Sequence, residues 1–138
     1  DVYKRQGFPL APNISFGIVD VRDVAQLHLL ALESPQASGN RFIASSETLA
    51  IPLISEFLRK KIPEYQKRLP KGTAPDFLIK LLGFFSPLMK TVANQLGKTK
   101  ELDNSKAKNI LGWQPRSGEE AVIASAKSLI EFDIVKSH

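Results

Sequence analysis

The stretch Phe16-Gly-Ile-Val-Asp-Val-Arg-Asp-Val-Ala25 decides the fold, because it joins a β-rich run to a long apolar helix. Ile14 to Val21 is rich in residues that favour strands. Asp20 is placed to cap a helix that begins near Arg22, and Asp23 falls in the first turn, where a carboxylate interacts favourably with the helix dipole. The stretch therefore predicts a strand that passes directly into a helix.

The elements that follow predict an α/β protein. The helix that starts at Arg22 is apolar on nearly all sides until Ser34 and Pro35 end it, which predicts burial between two layers. Asn40 to Ser45 is short, apolar and bounded by turn residues, so we expect a buried strand there. A second helix is predicted from Ile51 to Lys61. Helix, strand and helix joined by short links are typical of the α/β class.

The middle of the chain is predicted to be mostly helical. Tyr65 to Leu69 is predicted to form a short edge strand, and Thr73 is predicted to cap a helix whose first turn contains Asp76. A further short helix is predicted to start at Ser86-Pro87 and to end at Gly97.

The last third of the chain carries clear start and stop signals. Asp103 is predicted to cap a short helix that ends at Leu111, where Gly112 stops it. Trp113 follows directly and is predicted to be a packing anchor. Ser117-Gly-Glu-Glu120 is a capping box and predicts the start of the final helix.

Composition excludes several kinds of site. The 138 residues include no cysteine, so a disulfide, a catalytic thiol and a cysteine-bound metal are all excluded, and two histidines are too few for a histidine-rich metal site. The net charge is +5, but the basic residues have no aromatic residues between them, so we expect a solvated surface and no nucleic-acid partner. The most apolar window, Phe77 to Met89, is too short to span a membrane. We therefore expect a cytoplasmic protein with no bound metal and no membrane partner.

Two motifs carry a resemblance to a known family. Phe16 to Ala25, with His28 and the Gly-Asn-Arg-Phe-Ile43 segment, resembles the second half of extended short-chain dehydrogenases/reductases of the epimerase/dehydratase superfamily. The nearest group is that of dihydroflavonol, aldehyde and methylglyoxal-type reductases. Asp103-Asn-Ser-Lys-Ala-Lys-Asn-Ile-Leu-Gly-Trp-Gln-Pro115 resembles a late segment of the same family. The resemblance extends from Gly7 to Lys136, and two motifs in the right order make it specific.

The resemblance implies a fold and a division of the chain. It implies the carboxy-terminal part of a doubly wound parallel sheet of the Rossmann type, together with a small, mostly helical substrate domain. Residues 7–62 would include late Rossmann elements, and residues 63–138 mainly substrate-domain elements. The first six residues, DVYKRQ, look like a translated sequencing adapter, so residues 1–6 are expected to be a non-native leader that packs on nothing.

The resemblance also implies an activity for a longer parent protein. The family's reductases act on small aldehydes or ketones, and for the parent we expect NADP(H) in preference to NAD(H). They hold the nucleotide on a glycine-rich loop and use a Tyr-x-x-x-Lys pair, in which the lysine lowers the tyrosine pKa. The eight glycines never have that loop's spacing, and neither Tyr3 nor Tyr65 is followed four places on by lysine. We therefore assign no catalytic and no cofactor-binding residue, and we expect this chain alone to be inactive and to bind no NADP(H).

The resemblance gives one candidate binding surface. In the family the middle segment helps to close the cleft over the substrate, and ligand pockets are mostly apolar. The residues that would line such a substrate wall are Phe77, Leu78, Leu81 and Phe84. Plain packing between helices, or apolar surface left bare because the partner half is missing, explains the same residues equally well.

Two other features have a functional and a structural interpretation. Asp20 to Asp23 could touch a ligand, but helix capping and an Arg-Asp pair that holds the turn explain these residues without one. His28 lies on an apolar helix, and a packed core histidine is favoured over a proton-transfer group.

Two alternative functions remain open from the sequence. The same fold supports nucleotide-sugar epimerisation and dehydration, although the apolar stretch from Phe77 favours a small apolar carbonyl substrate. The chain could also be a stand-alone binding module with no catalytic role. In that case it would have to cover its own apolar elements, because parallel sheets are normally covered on both faces.

Overall fold

The structure is a computed structural model that describes residues 10–84 and 87–135, without the side chains of Leu88 and Met89. The predicted leader at residues 1–6 and the predicted helix start at Ser86 lie outside these residues. The described elements, in chain order, are β1 Ser15–Ile18, α1 Val21–Glu33, β2 Glu47–Ala50, α2 Ile51–Lys61, α3 Asp76–Leu82, α4 Pro87–Gln95, α5 Ser105–Leu111 and α6 Gly118–Glu131. Two short 3₁₀ turns lie at Pro35–Ala37 and Pro63–Arg68.

The described strands form one two-stranded antiparallel sheet. Ser15 of β1 lies opposite Ala50 of β2, and Ile18 lies opposite Glu47. The α/β class is thus confirmed, but the strand predicted at Asn40 to Ser45 is wrong, because the strand forms one segment later. In the part of the chain that the structure describes, it is β2 that takes the place beside β1, and residues 41–45 are left with no strand to pair with.

Helix α1 is covered on one side only. Leu27 is buried at 5% exposure, whereas Val21, Leu29 and Leu32 are 79%, 60% and 83% exposed. The predicted burial on all sides is therefore not found among the described residues. His28 is also exposed, and its Nδ1 lies 2.8 Å from the carbonyl oxygen of Val24. The prediction of a packed core histidine was wrong, because the core lies against the Leu27 side of the helix.

The main buried cluster forms where α1 meets α5 and the corner that follows α5. Gly112 ends α5 in the left-handed conformation, at φ +65°. This turn directs Trp113 inward, where it is fully buried. The prediction of a packing anchor is confirmed, and the cluster consists of Leu27, Ala107, Leu111 and Trp113.

The predicted start of α6 is confirmed, although half of the capping box is missing. Ser117 Oγ accepts a hydrogen bond from the Glu120 amide at 3.2 Å. The Glu120 carboxylate does not return to the cap and instead lies 3.5 Å from Arg116 Nε. The Glu47 carboxylate accepts from the Gly118 amide, so β2 supplies the second partner of this helix start. Helix α6 then packs along α2.

The middle segment differs from the prediction in two places. The edge strand predicted at Tyr65 to Leu69 was wrong, because Pro63–Arg68 forms 3₁₀ turns and the Tyr65 hydroxyl donates to the carbonyl of Val135 at 3.2 Å. The start of α3 at Asp76 is confirmed, but Thr73 does not cap it. Thr73 instead pairs with Ala11 in an isolated parallel bridge, which holds its backbone away from the helix.

Two other helix ends agree with the prediction. Helix α2 runs from Ile51 to Lys61 as predicted, and α4 is followed by Gly97 in the left-handed conformation. Helix α5 begins at Ser105, whose amide donates to Asp103 Oδ1 at 2.8 Å, although the capping position itself belongs to Asn104. The end of α4 follows from local chemistry, because glycine readily adopts the left-handed conformation.

Candidate functional site

The four residues predicted to form a substrate wall are all exposed on α3 or just after it. Phe77 is 72% exposed, Leu78 37% and Leu81 53%, while Phe84, two residues beyond the helix, is 85% exposed. Phe77 and Leu81 are one turn apart and therefore share a face. Ile79, at 5% exposure, anchors the helix, which packs along α4. The structure thus places Phe77, Leu78 and Leu81 on one short helix with their side chains exposed, and Phe84 just beyond it.

This outward apolar face is a candidate contact surface. Large apolar side chains gathered in one place on a protein surface mark sites that bind a ligand or another surface. Ile79 is the one buried apolar residue of this helix, and the other apolar side chains are exposed. We refer to Phe77, Leu78, Leu81 and Phe84 as the α3 face.

The turn between β1 and α1 is held by Asp20 and Arg22. The Arg22 amide and Nε both donate to Asp20 Oδ1 at 2.9 Å, and Nη2 donates to Oδ2 at 2.6 Å. These bonds lower the pKa of Asp20 to about 2, although burial of the carboxylate acts in the opposite direction. The structural interpretation of this turn, as a cap with an Arg-Asp pair, is confirmed.

Asp23 joins this turn to a distant corner of the chain. Its Oδ2 accepts from the Arg116 amide at 2.8 Å, and its Oδ1 forms an ion pair with Arg116 Nη1. Its backbone carbonyl accepts from Trp113 Nε1 at 2.9 Å. Asp23 is 3% exposed, and both of its carboxylate oxygens have a partner on Arg116. Sequence analysis missed this partner, and the only available signal was that Arg116 follows the Gly-Trp corner.

A cleft that sequence analysis also missed lies beside α2. It has a volume of about 520 Å³ and lies between one side of α2 and residues 70–73. Pro52, Leu53 and Pro70 give it apolar walls. Its polar lining consists of Asn13, Ser55, Glu56, Arg59, Lys71 and Thr73. No residue of the α3 face lines this cleft. The signal that could have suggested it is the turn sequence Pro70-Lys-Gly-Thr73.

Two glycines of the described chain are crowded by side chains, and that part of the chain includes no cluster of metal ligands. Gly17 and Gly118 lie close to the side chains of Leu102 and Leu49, so neither leaves room for a phosphate. The positive-φ glycines are far apart in the sequence and end turns or helices. Over residues 10–84 and 87–135 there is no group of three His, Cys, Asp or Glu side chains that could hold a metal ion. No helix in the same ranges is long and apolar enough to cross a membrane.

Comparison with known proteins identifies relatives that are reductases. No family profile matches the sequence. The chain is 29% identical over 122 residues to the NADPH-dependent methylglyoxal reductase GRE2 of Saccharomyces cerevisiae, covering 88% of this chain and 31% of that protein. It is 35% identical over 130 residues to the ketoreductase azaE of Aspergillus niger, covering 94% and 32%. The chain therefore spans about a third of the length of the curated relatives that it matches.

Solved structures agree with these relatives. The chain superimposes on the crystal structure of yeast methylglyoxal/isovaleraldehyde reductase complexed with NADPH with a TM-score of 0.65 and 27% identity, covering 91% of this chain and 36% of that one. A second structure, of gox2253, gives a TM-score of 0.72 at 20% identity, which supports the fold alone. The chain is thus a relative of extended short-chain dehydrogenases/reductases. Within that family, its relatives are the methylglyoxal and ketone reductases named above.

Proposed function

We propose that this chain is the carboxy-terminal part of an NADPH-dependent reductase that acts on small aldehydes or ketones, and that it has no reductase activity alone. Residues 7–62 would supply the late elements of the nucleotide-binding sheet, and residues 63–138 most of the substrate domain. The activities given in the relatives' names support the reaction class. The chain aligns with about a third of each relative, which supports the proposal that it is one part of a longer protein. For the cofactor, NADPH is favoured over NADH because GRE2 is NADPH-dependent and its crystal structure is a complex with NADPH.

Two uncovered surfaces of the chain support this proposal. The nucleotide-binding sheet of a longer protein would cover both. Residues 41–45 make no backbone–backbone hydrogen bond to any described residue, yet their exposure alternates along the chain as in a strand. Backbone groups left without such partners normally pair with a neighbouring strand. The outer side of α1, with Val21, Leu29 and Leu32, is the second surface. In an α/β protein, helices cover the faces of a parallel sheet in this way.

The α3 face has a specific role in the proposal. An aldehyde or ketone with a small apolar body needs an apolar wall, and Phe77, Leu81 and Phe84 present such a wall. The chain's own contribution is then to enclose the substrate and exclude water. No proton-transfer step is assigned to this chain, since its residues supply neither the nucleotide loop nor the Tyr-x-x-x-Lys pair.

A chimera tests the proposal. The segment of GRE2 that aligns with this chain is replaced by the aligned residues of the chain, and NADPH oxidation is followed with methylglyoxal and with larger apolar aldehydes. We expect a folded chimera that reduces these substrates, while the chain alone neither oxidises NADPH nor binds it in calorimetry. A folded chimera that binds no NADPH would contradict the proposal, as would saturable micromolar NADPH binding by the chain alone.

The role of the α3 face is tested in the same chimera. Phe77→Ala and Leu81→Ala are expected to change the ratio of kcat/KM between small and large aldehydes, because each removes part of the apolar wall. Phe132→Ala is the matched control, since Phe132 is also an exposed phenylalanine, at 71%, but lies just beyond α6. Unchanged substrate preference in both α3 variants would show that the face serves packing only.

A further inference from the structure

One wall of the cleft beside α2 is held in place by backbone hydrogen bonds. The Ala11 amide donates to the Gly72 carbonyl at 2.8 Å, and the Ala74 amide donates to the Ala11 carbonyl at 2.8 Å, so residues 72–74 are held by backbone bonds. Arg59 Nη1 contacts the Lys71 carbonyl at 3.4 Å across the cleft. With about 520 Å³ between these walls, the space is in the range of small-molecule sites.

The charges that line this cleft are positive and poorly neutralised. Glu56 also lines the cleft, but its carboxylate is paired with Lys60 at 2.7 Å. Arg59 and Lys71 form no ion pair with any described residue. The cleft lining therefore carries two cations and one carboxylate, Glu56, which is paired with Lys60 and also attracted by Arg59.

Arg59 has an unused hydrogen-bond donor. The residue is partly buried, its Nε is shielded from solvent, and this Nε has no hydrogen-bond partner among the described residues. A buried donor without an acceptor is unfavourable, and most such groups in folded proteins have a partner. Because Nε is shielded from solvent, a ligand in the cleft would be bound by the terminal guanidinium nitrogens, one of which also donates to the Lys71 carbonyl. A planar carboxylate matches two adjacent N–H groups of a guanidinium.

We propose that this cleft binds a small carboxylate-bearing molecule with a short apolar body. Arg59 and Lys71 would hold the carboxylate, while Asn13 and Thr73 line the cleft as neutral polar groups. Pro52, Leu53 and Pro70 would contact the apolar body. This site is separate from the α3 face and requires neither a nucleotide nor a carbonyl substrate.

An NMR titration of the 138-residue chain tests the site with a matched pair of probes. 4-Phenylbutanoate carries the charge, and 4-phenylbutanamide has the same body without it. We expect saturable shifts at the amides of residues 53–59 and 71–73 with the acid, and binding of the amide weaker by at least about tenfold. Equal binding of acid and amide, shifts centred elsewhere, or no saturation with the acid would overturn the proposal. Tighter binding of inorganic phosphate than of the acid would overturn the carboxylate assignment.

Variants locate the charge that binds. Arg59→Gln and Lys71→Gln are each expected to weaken binding of the acid by at least about fivefold, because each removes a cation from the cleft. Arg41→Gln is the control, since Arg41 is exposed and does not line the cleft. Lys71 is also exposed, so its variant keeps the fold even if the Arg59 variant does not. Unchanged affinity in the Lys71 variant and in a folded Arg59 variant would contradict the site. The titration contains no NADPH, so its outcome is independent of the reductase proposal.

Discussion

Asp23 connects the two sequence motifs on which the family resemblance rests. It lies in the strand-to-helix motif, and its carboxylate and carbonyl bind Arg116 and Trp113 at the end of the Leu-Gly-Trp motif. The partners are about ninety residues apart in sequence, so the two motifs form one structural unit. One buried residue therefore explains why the two motifs belong together.

Asp23→Ala is expected to lower the free energy of unfolding by about 2 kcal/mol, because it leaves the Arg116 amide and guanidinium without their acceptor. The value lies below that of a fully buried pair because the Arg116 side chain is 36% exposed. Urea unfolding measures the change. Glu33→Ala, at an exposed position, is the control and should change stability by less than about 0.5 kcal/mol. A loss in Asp23→Ala no larger than in the control would contradict this role.

Asp20 predicts a pH dependence of stability. Its pKa in the folded protein is about 2, below the ordinary value of 3.8, because Arg22 hydrogen-bonds its charged form. A lowered folded pKa adds stability that is fully present above pH 3.8 and is lost as the pH falls through about 2. We expect this contribution to be about 1 kcal/mol, since the Arg22 side chain is 55% exposed and solvent screens the pair.

Asp20→Asn tests this contribution because asparagine caps a helix as well as aspartate does. The wild-type chain should lose about 1 kcal/mol more than the variant between pH 4.5 and pH 2, measured by urea unfolding at each pH. Parallel pH profiles for the two chains would show that the Arg22 pair does not stabilise the folded state.

At the scale of elements, helix ends were predictable and strand pairing was not. The start of α1 at Asp20, the stop of α5 at Gly112 and the start of α6 at Ser117 depend on residues within one turn. The strand predicted at 40–45 and the strand predicted at 65–69 depend on which segment lies beside them. In the described chain β2 occupies the place beside β1, and no local pattern states that choice.

Gly112 offers a test of the helix stop after α5. Gly112→Ala is expected to cost about 1 kcal/mol of stability, because φ is +65° there and a side chain disfavours this conformation. No atom lies within 4 Å of the added Cβ, so the cost comes from the backbone alone. Gly72→Ala is the matched control, as its φ is not in the left-handed region and its nearest contact is an ordinary 3.6 Å. Equal thermal stability of both variants would contradict the prediction.

Helix α3 offers a test of inward and outward residues on one element. Ile79→Ala should lower the free energy of unfolding by about 3 kcal/mol, because a buried aliphatic side chain is removed. Phe77→Ala in the chain alone should change it by less than about 0.5 kcal/mol, because Phe77 is 72% exposed. Urea unfolding compares them. A large loss in Phe77→Ala would mean that the α3 face is already covered within this chain.

At the scale of the whole molecule, one candidate surface is formed by residues close together in sequence, and the other only by residues that folding brings together. The α3 face was predictable because its residues lie close together in sequence, three of them on one helix and Phe84 just beyond it. The cleft beside α2 was not, since it forms only when residues 70–73 and Asn13 are brought to α2 by the bridge at Ala11. The exposed apolar surface on α1, and the lack of backbone–backbone hydrogen bonds at 41–45 among the described residues, likewise have meaning only in three dimensions.

The central claim is that residues 41–45 and the outer side of α1 are built to lie against a nucleotide-binding sheet. Amide hydrogen exchange of residues 41–45, compared between the chain alone and the chimera with GRE2, tests it most directly. The claim predicts rapid exchange in the chain alone and at least about hundredfold slower exchange in the chimera, because a neighbouring strand would then accept or shield those amides. Helix α5 serves as the internal control and should exchange alike in both proteins. Equal exchange of residues 41–45 in the two proteins, with the chimera folded, would contradict the claim.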